Sequence, residues 1–192
     1  MIDQRVNNVH WNYLLALDAD TAVVARYVEF NPANYNTYSI ELARLLMAAA
    51  SEVDVVAKVA CSRVNPATTA GNIEEYRLEL VPARPNLPGY PIQINRFGLD
   101  FEPWINWSTG THPNWWRAYN AVKHERNNEY AQANLKNALN AVAGLYVMLV
   151  YAFPDEAQAG LLAPMPGLFS VPETKTDGYT FDPAGTLVHY LL

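Results

Sequence analysis

The sequence predicts an all-α protein: a helical bundle with a short extended or hairpin insertion and an irregular C-terminal tail. Apolar residues recur at helical spacing for more than four turns in residues 37–63, and the same spacing returns in residues 129–152. Residues 154–192 contain several prolines and scattered turn residues, which favour irregular backbone. We therefore expect a helical domain over residues 1–153, with residues 154–192 as an irregular wrap of the same domain.

The first half of the chain supplies three predicted helices. A first helix is expected over residues 18–30, because Asp18 and Asp20 are suitable N-caps for the apolar positions that follow. The helix of about 37–63 has apolar residues on both faces, which predicts a central, fully buried position. Residues 72–80 can form a short helix, after which the prolines of residues 82–91 forbid a regular interior element.

The second half begins with weaker patterns. Residues 91–104 can form two short extended pieces that turn at Gly98. Pro113 suits the first turn of a helix that continues to about Arg126, and Asn127 with its neighbouring asparagine suggests a break.

The most apolar part of the chain is the final helix, expected over about residues 129–152. Its longest uninterrupted apolar run, residues 141–153, is shorter than the ~20 residues that span a bilayer. The helix should therefore be core, packed antiparallel or nearly so against the helix of residues 37–63, and no membrane partner is expected.

The composition is typical of a globular protein of the cytoplasm. The chain has 192 residues, of which 51% are hydrophobic and 17% charged, enough for a sizeable core. Cys61 is the single cysteine and cannot form an internal disulfide, and the N-terminal segment lacks the features of a signal peptide. A net charge of −6 argues against a broad basic face that coats nucleic acid, although a local basic site is compatible with it.

Residues that bind metals or cofactors form no recognisable pattern. His10, His112 and His189 lie far apart without ligand spacing, so neither a metal nor a cofactor is expected. The chain has no glycine-rich phosphate loop and no G-x-S-x-G motif, so nucleotide hydrolase and esterase functions lack support.

A cluster of polar side chains precedes the final helix. Arg117 and His124 are seven positions apart and so lie within ~20° of each other around a helix, with Asn120 between them. Lys123 and Arg126 flank the histidine. A proton-transfer group beside fixed cations and an amide suits phosphate chemistry, and a solvated polar helix face is the alternative interpretation.

The motif Arg117-x6-His124, placed just before a long apolar helix, resembles the HEPN superfamily. A weaker similarity covers RYVEF, TYSIELARLLMAAASEVDVVAKVAC, WWRAYNAVKHER and NLKNALNAVAGLYVML, which look like a bacterial group of uncharacterised HEPN-like proteins. The resemblance implies a helical bundle with a metal-independent endoribonuclease site, usually shared between two protomers. It further implies a homodimer, an RNA substrate, and a cognate antitoxin or defence protein as partner in a bacterial defence or toxin-antitoxin system.

In such a site His124 would transfer a proton while Arg117 or a neighbouring cation holds the scissile phosphate. The residue after the arginine is usually polar in active members of the superfamily, but here it is Ala118. Either Asn120 supplies the polar group from the next turn, or Arg126 is the functional cation. Ala118 favours the alternative function, a catalytically silent HEPN-like module that binds a protein, RNA or nucleotide partner.

Charged residues interrupt the predicted central helix. Asp54 and Lys58 have the favourable orientation of a helical ion pair, but an exposed pair contributes only ~0.3–0.5 kcal/mol, and an unpaired buried charge costs several kcal/mol. We therefore expect them to support the site, with Asp54, or alternatively Glu52, facing residues 117–126 and orienting His124 or a neighbouring cation. A purely structural ion pair is the alternative.

Four tryptophans cluster in residues 104–116. They could stack on nucleic-acid bases, although tryptophans beside a helical bundle are more often packing anchors. The aromatic stretch of residues 104–119 also offers apolar surface for a second protomer, which agrees with the homodimer that the resemblance implies.

Overall fold

The structure is a computed structural model that describes residues 8–182 and 185–192. Residues 1–7, on which part of the signal-peptide prediction rests, lie outside the described residues. The described helices are α1 (Val9–Val24), α2 (Ile40–Val64), α3 (Ile73–Ala83), α4 (Asn114–Glu129), α5 (Leu135–Ala152) and α6 (Pro154–Gln158). Two antiparallel two-stranded sheets accompany them, β1 (Ile92–Ile94) with β2 (Leu99–Phe101) and β3 (Thr176–Asp182) with β4 (Gly185–Tyr190). The fold is mixed, so the all-α prediction is wrong.

Helix α2 forms where its apolar spacing predicts it. The Ser39 hydroxyl accepts the backbone N–H of Leu42 and caps the first turn, and the helix ends before Asn65 and the proline that follows it. Its core-facing residues, from Leu42 to Cys61, are buried. Val55, on the other face, is 44% exposed, so the prediction that both faces are buried is wrong.

Helix α5 is the centre of the core. It begins at Leu135, six residues later than predicted, because the Asn134 side chain caps it by accepting the N–H of Asn137. By length and composition alone the helix could cross a membrane, yet 83% of its 18-residue apolar window is buried inside the protein. The prediction that this segment is core is confirmed.

Helices α2 and α5 make the most extensive helix contact of the protein. At one end the backbone N–H of Leu135 donates to the carbonyl oxygen of Thr37 at 2.8 Å. At the other end the Arg63 guanidinium lies over the Phe153 ring, 4.6 Å from its centre. The two N-termini therefore meet at one end and the two C-termini at the other, so the pair is parallel and the antiparallel prediction is wrong.

Helix α1 begins nine residues before the predicted start. The Asn8 side chain caps it by accepting the N–H groups of the second and third residues of the helix. Asp18 is therefore not a cap but a buried residue within the helix, and its carboxylate accepts the backbone N–H groups of residues 167–169 at 2.8–3.1 Å. Burial raises the pKa of Asp18, while the three N–H bonds lower it. This carboxylate fixes the C-terminal segment to α1.

One connection departs from expectation and another agrees with it. Helix α3 continues through Pro82 in its last turn, so the irregular connector begins later than predicted. Strands β1 and β2 pair in the register Ile92 to Phe101 and turn near Gly98, which has φ of 61°, as the sequence predicts.

The C-terminal segment is not an irregular tail. After α6, strands β3 and β4 form a hairpin whose Tyr190 hydroxyl lies 2.9 Å from the hydroxyl of Tyr146 in α5. The hairpin is thus tied to the core through a buried tyrosine pair. The prolines of residues 154–192 hid its strand pattern in the sequence.

Candidate functional site

The residues Arg117, Asn120 and His124 lie on the outward face of α4. The backbone is helical from Asn114 to His124, and the opposite face packs on the core. Arg117 and His124 are exposed and Asn120 is half-buried, so the shared face that their spacing predicts is present. The Arg117 guanidinium donates to the Asn114 side chain. The His124 side chain makes no hydrogen bond or ion pair within the described part of the chain. We call these three residues the outward stripe.

Ala118 is part of the core rather than of the outward stripe. It is 4% exposed, so a polar side chain at this position would need a buried hydrogen-bond partner. Two amides flank Arg117 on the accessible side, Asn114, which accepts its hydrogen bond, and Asn120, one turn further along the helix. The sequence left open whether Asn120 supplies the missing polar group or Arg126 is the functional cation, and the position of Asn120 suits the first alternative.

A kink in α4 separates Arg126 from the outward stripe. Glu125 has φ of −132° and ψ of 43°, outside the helical region, although neither proline nor glycine is nearby. The break comes two residues before the predicted one at Asn127. Helical spacing therefore does not carry past His124, and Arg126 turns toward α2 instead.

An open groove of about 1220 Å³ lies between α1, α2 and the second half of α4. Tyrosines from three parts of the chain line it, Tyr13, Tyr119 and Tyr130, together with Lys123 and Arg126. We call it the tyrosine groove. Sequence reasoning missed it, because its side chains come from separate segments that no single periodic pattern connects.

The cations of the tyrosine groove differ in their pairing. Arg44 pairs with Asp20 and Glu41, each at 2.9 Å. Lys123 has no carboxylate partner in the described residues, and its Nζ lies 5.3 Å from the centre of the Tyr119 ring. The Arg126 side chain makes no hydrogen bond or ion pair with any described residue. Two cations of the groove are thus free to bind an anion.

Arg117 belongs to a different cavity from Lys123 and Arg126. It lines a smaller cleft of about 350 Å³, together with Glu129 and Asn137. The structure therefore divides the predicted cationic cluster into two sites on different sides of α4.

The predicted support from α2 is wrong. Asp54 accepts hydrogen bonds from the Lys58 ammonium at 2.5 Å and from the Tyr76 hydroxyl at 2.8 Å. Glu52 binds His10 Nδ1 at 2.5 Å. Across the described ranges, no ion pair joins either carboxylate to α4. The reason is that α3 and α1, rather than α4, cover these parts of α2, and the structural alternative describes Asp54 and Lys58.

The tryptophans are core residues. Trp104, Trp107, Trp115 and Trp116 are 0–6% exposed. The Trp104 indole donates to the Gly144 carbonyl at 3.0 Å, and the Trp115 indole donates to the Pro103 carbonyl at 2.8 Å. The packing interpretation is confirmed, and this stretch offers neither base stacking nor an apolar surface for a second protomer.

The histidines outside α4 have local partners. His112 lies 3.5 Å from a Glu74 carboxylate oxygen, and His189 contacts the Thr180 hydroxyl and the Gln158 carbonyl. No group of three histidine, cysteine or acidic side chains suited to a metal ion occurs among the residues that the structure describes.

Comparison of the chain with family models, with curated proteins and with solved structures finds no match.

Proposed function

We propose that this protein binds single-stranded RNA in the tyrosine groove. The observation that carries the proposal is the presence of two cations, Lys123 and Arg126, without carboxylate partners in the described residues, in a groove that tyrosines also line. Cations that track phosphates and aromatic rings that stack on bases are the usual elements of sequence-tolerant single-strand binding.

The dimensions of the tyrosine groove agree with a short strand. The groove follows α2 from Ile40 to Ser51, a distance of about 16 Å at the helical rise of ~1.5 Å per residue, which is enough for a few nucleotides. Tyr13 is 41% exposed and can offer a ring face to a base. A cytoplasmic location, which we propose on the composition, would give access to RNA.

The acidic net charge of −6 sets a condition on this proposal. Binding must be local and sensitive to salt, since the rest of the protein repels a polyanion. Each phosphate contact to a single strand contributes about −0.7 to the slope of log K against log salt concentration.

The test is the anisotropy of a fluorescein-labelled ten-nucleotide RNA, with Lys123→Gln/Arg126→Gln compared with the wild type. Losing two contacts should weaken binding by about tenfold or more and reduce the salt slope by about 1.4. The matched control is Arg26→Gln/Arg96→Gln, which removes the same charge at exposed positions outside the groove. Equal effects of the two double variants would overturn the proposal.

A second candidate function is the endoribonuclease that the HEPN-like motif implies. It is favoured by one observation, that Arg117 and His124 share an exposed face and that His124 has no partner in the described chain. His124 would take the proton of a 2′-hydroxyl as its oxygen attacks phosphorus and the 5′-oxygen leaves, and Arg117 would stabilise the charge on the phosphoryl oxygens. A homodimer that shares the site, and a cognate antitoxin or defence protein, belong to this candidate.

Incubation with mixed RNA in EDTA separates the two functions. Cleavage that persists in EDTA and is lost in His124→Ala would support the nuclease. RNA that is bound in the anisotropy assay and remains intact would identify a catalytically silent binding module.

A further inference from the structure

A second polar cavity lies at the opposite end of the α2 and α5 pair from the start of the tyrosine groove. It has a volume of about 350 Å³ and is formed where α3 ends, α5 ends and α6 begins. Its polar lining includes Arg84, Asn86, Tyr151, Asp155 and Gln158. None of these residues takes part in the outward stripe or the tyrosine groove.

Two polar atoms of this lining are buried without a partner. Tyr151 is 3% exposed, and its hydroxyl makes no hydrogen bond in the described part of the protein. The Nε of Arg84 is likewise buried and without a partner there. A buried polar group without a partner is destabilising, and more so when it is charged, so two in one cavity require an explanation.

Both unpartnered groups act as donors. The guanidinium N–H of Arg84 can only donate, because arginine remains protonated in proteins. Burial raises the pKa of the Tyr151 phenol, so its O–H also keeps its proton, although the nearby Arg84 charge opposes this shift. No acceptor of the described chain bonds to these two donors, and beside a guanidinium the favoured acceptor is an anion.

From these two donors we infer that the cavity binds the oxyanion of a small molecule, a carboxylate or a phosphate group, held by Arg84 and Tyr151. The amides of Asn86 and Gln158 can complete the contacts, since amides both donate and accept. Asp155 is exposed on the same cavity and repels further negative charge. The ligand is thus a compound with one compact oxyanion rather than a polyanion such as RNA.

This site goes beyond the proposed RNA binding and is independent of it. Helix α5 places Tyr151 about 24 Å from its N-terminal residue Leu135, at the helical rise of ~1.5 Å per residue. A compact ligand in the cavity does not reach the tyrosine groove.

The experiment uses sodium phosphate and sodium acetate as probes, each against sodium chloride at equal ionic strength. We expect phosphate, acetate or both to raise the melting temperature of the wild type and to shift the Arg84 Nε resonance in ¹⁵N NMR spectra. A response to one probe alone identifies whether phosphate or carboxylate is the group recognised.

Tyr151→Phe is the decisive variant, because it keeps the ring and removes only the hydroxyl. Without probe it should be at least as stable as the wild type, since it loses an unpartnered buried group. With probe it should lose most of the rise in melting temperature, and Arg84→Gln should lose all of it. Arg26→Gln, at an exposed position away from the cavity, should respond as the wild type does.

Two results would overturn the inference. One is the absence of any effect of both probes on melting temperature and on the Arg84 resonance of the wild type. The other is an equal probe effect in the wild type, Tyr151→Phe and Arg84→Gln, which would assign the stabilisation to ions elsewhere on the surface.

Discussion

Replacing Gly144 with alanine would push a methyl group into the indole of Trp115. A Cβ built on Gly144 lies 2.8 Å from Trp115 Cζ2 and 3.2 Å from its Cε2. Carbon atoms pack favourably at about 3.5–4.0 Å, so the ring must move by roughly 0.7 Å or more. It cannot do so freely, because it is 2% exposed and its Nε1 donates to the Pro103 carbonyl at 2.8 Å.

The net effect follows from three terms of different sign. Overpacking of a well-packed core costs about 1–3 kcal/mol, and weakening the Trp115 hydrogen bond costs about 1 kcal/mol. Alanine within a helix is favoured over glycine by about 1 kcal/mol. We therefore expect Gly144→Ala to reduce the free energy of unfolding by about 1–3 kcal/mol.

Urea unfolding followed by tryptophan fluorescence measures this difference. For a chain of this length, a loss of about 2 kcal/mol corresponds to a fall in melting temperature of roughly 4–8 °C. Gly89→Ala is the steric control, since no atom lies within 4 Å of its added Cβ, and it should change stability by no more than about 0.5 kcal/mol.

A double variant tests whether the clash with Trp115 causes the loss of stability. Trp115→Phe makes room for the methyl group, so Gly144→Ala/Trp115→Phe should be less destabilised than the sum of its two single variants. A Gly144→Ala protein as stable as the wild type, or an additive double variant, would refute the steric argument.

Two further predictions concern pH and assembly. Because burial raises the pKa of Asp18, the stability linked to its protonation is fully present below its ordinary pKa of 3.8 and is lost as pH rises through the raised value. The unfolding free energy of the wild type minus that of Asp18→Asn should therefore decrease between about pH 3 and pH 7, and a constant difference would contradict this. If the outward stripe is shared between protomers, light scattering at tens of micromolar should give twice the mass of one chain, and a single-chain mass would count against a shared site.

Local patterns predicted the parts of the fold that depend on neighbouring residues. The apolar periodicity located α2 and the core face of α5, and Gly98 located a turn. The parallel direction of α2 and α5 could not be read in this way, because it depends on where the intervening chain runs. The β3–β4 hairpin was missed because the prolines of residues 154–192 favoured irregular backbone, whereas its docking depends on Tyr190 meeting Tyr146 in the core.

In the candidate site too, local patterns predicted some features and missed others. Helical spacing correctly placed Arg117 and His124 on one face. It failed for Arg126, because the backbone of Glu125 leaves the helical region without a proline or glycine to signal it. The cavity of Arg84 and Tyr151 depends on the ends of three helices meeting, which no local pattern encodes.

The parallel pairing of α2 and α5 has an electrostatic consequence. Aligned helices place the partial negative charges of their C-termini at the same end, which is unfavourable unless a cation lies there. Arg63 is in the last turn of α2, and its guanidinium lies over Phe153, the C-cap residue of α5. A single cation thus lies at the C-termini of both helices, and its carboxylate partner Glu156 belongs to the first turn of α6, where a negative charge meets the positive end of a third dipole.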